Sequence, residues 1–166
     1  MKYQLIIPIA ILVISLSSCH NFKNQTSKRI ANNSELIFDK GEKITNSNFT
    51  GNVYLHQMIP ADSLNFTQVG NVTFEPGART KWHVHPGGQI LLITSGTGYY
   101  QEIGSPKRII KKGESIKCPP AVPHWHGASK EEELIQVAIT TTQKGATVWL
   151  DIVTDQEYNA FNNSNK

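Results

Sequence analysis

The stretch KWHVHPGGQILL, residues 81–92, decides the fold and suggests the chemistry of this chain. Alternate residues of an extended strand share a face, so His83 and His85 project together. A Pro-Gly-Gly turn follows, in which both glycines are free to adopt positive φ, and Gln89 then begins the next apolar run. The pattern predicts two imidazoles and an amide oxygen on one face, which is a set able to hold a metal ion.

A second histidine pair lies in VPHWHG, residues 122–127. His124 and His126 share one face of the predicted strand, and Trp125 takes the other. Taken singly, a His-x-His pair is more often a surface feature or part of a core than a pair of metal ligands. Two such pairs, each framed by glycine and proline, make a shared metal site the better interpretation.

The composition is that of one globular domain. The chain has 166 residues, of which 39% are hydrophobic and 17% are charged, so it has room for a substantial core. The net charge of +3 is small and scattered. There is no basic stripe with interleaved aromatic residues, which argues against nucleic-acid binding.

Short apolar runs separated by turn formers predict an all-β fold. The runs are NVYLHQMI, QVGNVTF, KWHVH, ILLITS, GYYQEI, RIIKK, SIKCP and LIQVAIT, and the predicted turns include EPGA, HPGG, SGTG, GSPK, KKGE and CPPAVP. Such regular spacing is typical of an antiparallel sandwich or barrel. Near the end of the chain, Thr154 with Glu157 three residues on forms a capping-box pattern, which predicts a short C-terminal helix over Asp155–Phe161.

The spacing of the first motif resembles that of the cupin superfamily. That motif is a glycine, five residues, His-x-His, three or four residues, a glutamate, six residues and a glycine. GARTKWHVHPGGQILLITSG matches it at Gly77, His83, His85 and Gly96, and Gln89 stands in the glutamate position.

The second cupin motif is a glycine, five residues, Pro-x-Gly, two residues and a histidine. GESIKCPPAVPH matches it at Gly113, Pro119 and His124, with Ala121 in place of the glycine. The resemblance implies a small antiparallel β-barrel of the cupin or jelly-roll type. It also implies one divalent metal inside the barrel, held by three histidines and one carboxylate or amide.

The subgroup with HPGGQ and HWHGA is similar to carboxymuconolactone decarboxylase-associated cupins and to manganese-dependent hydroxynitrile lyases. By this resemblance the ligands are His83, His85, Gln89 and His124, and manganese is the expected metal, with iron, zinc or nickel as alternatives. A neutral amide in place of a carboxylate leaves the formal charge of the centre near about +2, which makes the ion a stronger Lewis acid.

Two further polar residues are expected near the metal. His126 is a candidate acid or base, and the alternatives are a fifth ligand or a hydrogen-bond partner. Gln136 faces the pocket if the apolar residues of LIQVAIT pack outward. Relatives resembling the hydroxynitrile lyases carry a histidine at this position, so a base would here be His126 or a metal-bound hydroxide. Thr80 is a pocket residue by the same resemblance.

These features favour a metalloenzyme that acts on a small polar organic molecule, as a lyase, isomerase or oxygenase. The alternative is a non-catalytic barrel that binds a small ligand or a metal. The sequence does not decide whether the protein is an enzyme.

The N-terminal residues predict a membrane-anchored protein. Residues 1–18 read as a lipoprotein signal peptide, because a basic start and a short apolar run lead to LSSC, which resembles a bacterial lipobox. Cys19 would carry the lipid, residues 19–35 would form a flexible tether, residues 36–161 the barrel, and residues 162–166 a disordered tail. The barrel would then lie outside the cytoplasm, on the periplasmic or cell-envelope side.

Two expectations remain. With Cys19 acylated, Cys118 has no disulfide partner and reads as a small buried apolar residue. Cupin barrels tend to pair through edge strands, so the resemblance implies a homodimer, with NVYLHQMI as a candidate for the exchanged strand.

Overall fold

The structure is a computed structural model that describes residues 36–160. The predicted signal peptide, Cys19, the tether over residues 19–35 and the tail over residues 162–166 lie outside the described residues. In the part of the chain that the structure describes, no helix is long and apolar enough to cross a membrane.

The described residues form twelve strands and one helix. The strands are β1 (Glu42–Lys43), β2 (Phe49–Thr50), β3 (Val53–Ile59), β4 (Thr67–Phe74), β5 (Arg79–Thr80), β6 (His83–Val84), β7 (Gln89–Glu102), β8 (Arg108–Lys111), β9 (Ser115–Cys118), β10 (His124–Ala128), β11 (Leu134–Thr141) and β12 (Val148–Trp149), and the helix is α1 (Asp155–Asn159).

The strands form one curled antiparallel sheet in the order β1-β3-β4-β11-β7-β10-β5-β2. β7 belongs to both halves of the curl. Its first residues pair with β11 and β9, and its last residues pair with β10 and β8. One long strand therefore bends the sheet into a half-barrel, and the prediction of an all-β cupin-type barrel with a short helix is confirmed.

The prediction of a turn at SGTG is wrong. These residues lie within β7, which is one strand of 14 residues. Gly96 bends the strand instead, at φ +74°, and the ladder with β11 shifts register beside it. A Cβ at Gly96 would stand 1.8 Å from the carbonyl oxygen of Glu133. The glycine thus marks a β-bulge, where the strand changes sheet without ending.

The apolar core fills the interior of the curl. Its largest fully buried members include Phe74, Leu91, Ile110 and Leu134. These residues come from four different strands, so the core joins both halves of the sheet around the shared strand β7.

A second apolar cluster lies under α1 and contains Trp82, Tyr99, Trp125, Val153 and Tyr158. The helix has the predicted capping box, in which the Thr154 side chain accepts from the N–H of Glu157 and the Glu157 carboxylate accepts from the N–H of Thr154. The helix is shorter than predicted, since it ends at Asn159.

The candidate for strand exchange, β3, pairs with β1 and β4 of its own chain. The expected homodimer stays a prediction.

Candidate metal centre

Three buried histidines meet at one point of the barrel. The nearest ring nitrogens of His83, His85 and His124 all lie within 4.8 Å of one another. The ring centroids are 5.0 Å apart for His83 and His85 and 4.4 Å apart for His83 and His124. Three nitrogens at this spacing can all contact a single divalent ion, so the protein has a three-histidine site positioned to hold a metal.

The sheet register explains why residues so distant in sequence come together. His124 of β10 stands directly opposite His83 of β6 in an antiparallel pair. His85, two residues beyond His83, is carried toward the same face by strand alternation. The two His-x-His motifs thus act as facing elements of one sheet.

Hydrogen bonds at Nδ1 orient the rings. Nδ1 of His83 donates to the carbonyl oxygen of Lys81 at 3.0 Å, and Nδ1 of His124 donates to that of Val122 at 3.0 Å. A carbonyl oxygen can only accept, so both rings carry their proton on Nδ1 and leave the Nε2 lone pair free. This arrangement is typical of histidines that bind metal through Nε2.

Burial keeps these imidazoles neutral. The pKa of His85 is lowered to about 4, mainly by burial and to a smaller extent by the charge of His124. Burial also lowers the pKa of His83 well below its ordinary value of 6.5 and lowers that of His124. At neutral pH the rings are therefore in the form that binds a metal ion.

The free atoms also fit a metal ion. Within residues 36–160, Nε2 of His85 and Nε2 of His124 are buried and have no hydrogen-bond partner. A buried polar atom without a partner is costly. A divalent cation would satisfy both atoms. Imidazole nitrogen is a suitable donor for Fe, Ni or Zn, and a carbonyl-type oxygen added to the set suits Mn.

Gln89 approaches the same group through its amide. Nε2 donates to the Thr140 hydroxyl at 3.1 Å, which leaves Oε1 on the opposite side of the amide. Oε1 accepts from the Cys118 thiol at 3.9 Å, and the Gln89 side chain acts to raise the pKa of His85 against the larger effect of burial, so the amide lies beside that ring. The geometry suits Gln89 as a fourth ligand, a role that stays a prediction.

A cavity of about 150 Å³ opens beside the histidines. Part of its wall is aromatic and formed by Phe49, Phe74 and Trp149, while Thr80 and Gln136 add polar groups. Among the described residues that line it, none carries an acidic, lysine or arginine side chain. A ligand in this cavity would meet imidazoles, amides, hydroxyls and aromatic faces.

His126 lies in this wall but not in the three-histidine group. Its Nδ1 is 3.2 Å from Nε2 of Gln136, and its backbone N–H donates to the Thr80 hydroxyl at 3.2 Å. The ring also meets Phe74 edge to face at 5.6 Å. Complete burial lowers the pKa of His126 well below 6.5, and the neighbouring histidines lower it further.

Gln136 is fully buried and lines the cavity. Ile135 and Val137, on the other face of β11, are also buried, so both faces of this part of the strand are covered. The inner face of that strand is nevertheless the one that carries Gln136.

Several neighbours depart from or complete the sequence-based description. Only Gly88 of the HPGG turn has positive φ (+82°). Ala121, which replaces a motif glycine, adopts φ +60° and is the single non-glycine residue with positive φ in the described part of the chain.

Cys118 is buried as predicted, and burial raises the pKa of its thiol to about 12.

Two residues of the site escaped the sequence-based reasoning. Thr147 places its hydroxyl 3.1 Å from Nδ1 of His85, and Trp149 places its ring 5.0 Å from that of His83. Both follow a polar turn, and no motif in the sequence distinguishes them.

Comparison with known proteins agrees with this geometry. The sequence pattern of the cupin domain matches residues 70–140. An (R)-mandelonitrile lyase from Granulicella tundricola is 39% identical over 111 residues, which cover 66% of this chain and 85% of that protein.

Two solved structures show the same fold. A cupin-like protein from Thermotoga maritima is 50% identical, with a TM-score of 0.72, over 75% of this chain and 95% of that one. A cupin 2 conserved barrel domain protein from Rhodopseudomonas palustris is 14% identical, with a TM-score of 0.56, over 70% of this chain and 78% of that one. With the fold, the histidine cluster and these relatives in agreement, the chain belongs to the cupin family.

Proposed function

We propose that the protein is a divalent-metal enzyme that acts on a small, uncharged organic molecule bearing a hydroxyl or carbonyl oxygen. The observation that carries this proposal is the convergence of His83, His85 and His124 beside a cavity that His83 and His85 line. Burial holds these rings neutral, and two of them have free, buried Nε2 atoms. Such an arrangement costs stability unless a ligand satisfies it.

The proposed ligands are Nε2 of the three histidines and Oε1 of Gln89. Manganese is the proposed metal, by similarity to the manganese-dependent subgroup, and iron, zinc and nickel suit the same donors. When bound, such an ion supplies Lewis-acid polarisation of a substrate oxygen.

His126 is the proposed proton carrier. Its Nε2 is buried without a partner among the described residues, while Nδ1 contacts Gln136. An amide can donate through nitrogen or accept through oxygen, so Gln136 can support either neutral tautomer of His126. Gln136 itself does not exchange a proton, and its proposed role is to hold the ring while Nε2 accepts or delivers one.

The walls of the cavity favour a substrate with an apolar or aryl group. Phe49 and Trp149 meet edge to face at 5.5 Å, and Phe49 lies 6.3 Å from Phe74. The similarity to a mandelonitrile lyase, whose name denotes an aryl cyanohydrin substrate, favours lyase chemistry on such compounds over isomerase or oxygenase chemistry.

The test is metal-dependent turnover by the full chain. Protein stripped of metal and reloaded with Mn(II), Fe(II), Zn(II) or Ni(II) would be screened with aryl cyanohydrins, α-hydroxy compounds and α-keto compounds, with product measured by chromatography. We expect turnover with one metal and none after chelation. Activity that survives chelation, or that persists in a His124→Ala variant, would refute the proposal.

A second function is favoured by Gln136. At the position where similar lyases carry a histidine, this chain has an amide that does not titrate. The alternative is therefore a barrel that binds a small ligand or a metal without turnover. Ligand-dependent thermal stabilisation with no product from any compound in the same screen would select it.

We also propose a lipid-anchored location outside the cytoplasm. The support is the LSSC segment that ends at Cys19, after a basic start and a short apolar run. Metabolic labelling with a fatty acid in a bacterial host should label the wild type and not Cys19→Ala. Equal labelling of the two proteins would exclude the anchor at this residue.

A homodimer is the proposed assembly. Ile90 and Leu92 project from the outer face of β7 and are 45% and 39% exposed, which leaves apolar area that a second copy could cover. Light scattering should give twice the chain mass for the wild type. A monomeric mass at micromolar concentration would refute the dimer.

A further inference from the structure

The three histidines of the metal centre are not held in the same way. His83 and His124 each bond the carbonyl oxygen of the residue two positions earlier, so each is oriented by its own local backbone. His85 instead depends on the hydroxyl of Thr147, 62 residues later, at 3.1 Å. Its orientation is set by a separate piece of chain.

That piece, residues 142–149, is here named the strap. It leaves β11, turns with the N–H of Gly145 donating to the carbonyl of Thr142, and ends in β12. Residues 143–146 are exposed, and in the part of the chain that the structure describes the two-residue β12 pairs with β6 alone. At its start Thr142 donates twice to the carbonyl of Phe66, but the exposed middle of the strap lies between these bonds and the short β12, so that middle belongs to the less stable part of the fold.

The strap touches the metal centre twice and the cavity wall once. Besides the Thr147–His85 contact, β12 sets Trp149 opposite His83 in the sheet register, with rings 5.0 Å apart and inclined by 35°. The same indole meets Phe49 edge to face across the cavity. Displacement of the strap would therefore release His85 and open the wall together.

We propose that Thr147 is a positioning residue for the bound metal, acting through His85, and that metal binding orders the strap. This inference rests on the proposed metal centre. The hydroxyl fixes the ring angle of His85, which brings Nε2 toward the other two ligands. Because coupling between sites is reciprocal, any compound that orders Trp149 in the cavity will also raise the affinity for the metal.

The first test measures Mn(II) affinity of the full chain by competition with a chelator at pH 7.5. Thr147→Val removes the hydroxyl at nearly constant volume, Thr147→Ser retains it, and Thr94→Val removes a hydroxyl that bonds the carbonyl of Ile135 elsewhere in the sheet. We expect a loss of about 10- to 100-fold for Thr147→Val and of less than about threefold for Thr147→Ser and Thr94→Val.

The second test needs no variant. Hydrogen exchange of the wild type should slow in residues 142–149 when Mn(II) is added. For the first test, circular dichroism should show that each variant is folded. Unchanged exchange in this segment would overturn the inference, as would a Thr147→Val affinity equal to that of the wild type or equal losses in all three variants. Wild-type protein that takes up no metal would instead refute the proposed function, so the two failures are distinguishable.

Discussion

The two His-x-His pairs are the same pattern with different outcomes. In the first pair, both His83 and His85 enter the three-histidine group. In the second pair, His124 enters it, while His126 stands 6.1 Å from His124, ring to ring, and bonds Gln136. Strand alternation sets both members of a pair on one face, but the position along the strand decides which of them reaches the common point.

The comparison shows that the two histidines of the second pair differ in their hydrogen-bond partners, which suits them to different roles. Nδ1 of His124 bonds a backbone carbonyl, which fixes one tautomer and keeps Nε2 as a lone-pair donor. Nδ1 of His126 bonds an amide, which tolerates either tautomer. One histidine is therefore suited to hold an ion, and its neighbour two residues later is suited to move a proton.

The largest expected effect separates these two histidines by metal binding. His124→Ala should abolish stoichiometric uptake of Mn(II), because it removes one of three converging nitrogens. His126→Gln should retain uptake, since its Nε2 is not among those nitrogens. Elemental analysis of the purified proteins measures both. Loss of metal from His126→Gln as severe as that from His124→Ala would remove the distinction drawn above.

The next effect separates them by catalysis. With a substrate found by the screen, the His126→Gln variant should turn over about 10²- to 10⁴-fold more slowly than the wild type while the metal is still bound. This is the loss expected when a general acid or base is removed. Steady-state kinetics on protein of verified metal content would check this. A variant that works at the wild-type rate would leave His126 a packing residue beside Phe74.

The pH dependence of the metal-free protein tests what the pairs share. Burial lowers the pKa values of these histidines in the folded protein. Below about pH 6.5 the unfolded chain therefore binds more protons than the folded protein does, and the free energy of unfolding decreases as the pH is lowered. The stability is complete above about pH 6.5 and is lost as pH falls toward about 4. His85 alone accounts for about 3 kcal/mol of this loss.

Urea denaturation of chelator-treated protein between pH 7 and 4.5 would measure that slope. His85→Asn should make the slope shallower, because the variant lacks one of the titrating histidines. A wild-type stability that stays constant across this range would contradict the buried, neutral histidines.

The smallest effect concerns the turns beside the two pairs. In the turn after the first histidine pair, the residue with positive φ is Gly88. In the loop before the second histidine pair, it is Ala121, at φ +60°. Ala121→Gly should relieve a backbone strain of about 1–2 kcal/mol in the folded protein. The glycine also loses more conformational entropy on folding, which costs about 0.5–1 kcal/mol, so the free energy of unfolding should increase by about 0.5–1 kcal/mol.

Thermal denaturation of metal-free protein would show this gain as a higher Tm. The matched change, Gly88→Ala, should lower Tm, since the new Cβ would also stand 3.0 Å from the carbonyl oxygen of Cys118. A lower Tm for Ala121→Gly would mean that the loop does not carry that strain.

Much of the fold could be predicted because periodicity reports burial. Alternation gave the strands, and the Thr154–Glu157 pair gave the start of the helix. The failure at SGTG is instructive, since glycine marks a bulge as readily as a turn. Only the Glu133 carbonyl, brought close by the neighbouring strand, shows that Gly96 bends the chain without reversing it.

The candidate site was accessible from sequence only where a motif exists. His83, His85 and His124 belong to spaced patterns, and they do lie together. Thr147 and Trp149 belong to none, because their role comes from the pairing of β12 with β6. The contact between Gln136 and His126 likewise depends on the curvature that brings β10 and β11 to one cavity.

The most direct test of the central claim is a crystal structure of the full chain loaded with Mn(II), with the ion located by anomalous scattering. We predict one ion within about 2.0–2.3 Å of Nε2 of His83, His85 and His124 and of Oε1 of Gln89, with His126 outside the coordination sphere. An ion bound elsewhere, or no ion between these rings at saturating Mn(II), would contradict the account.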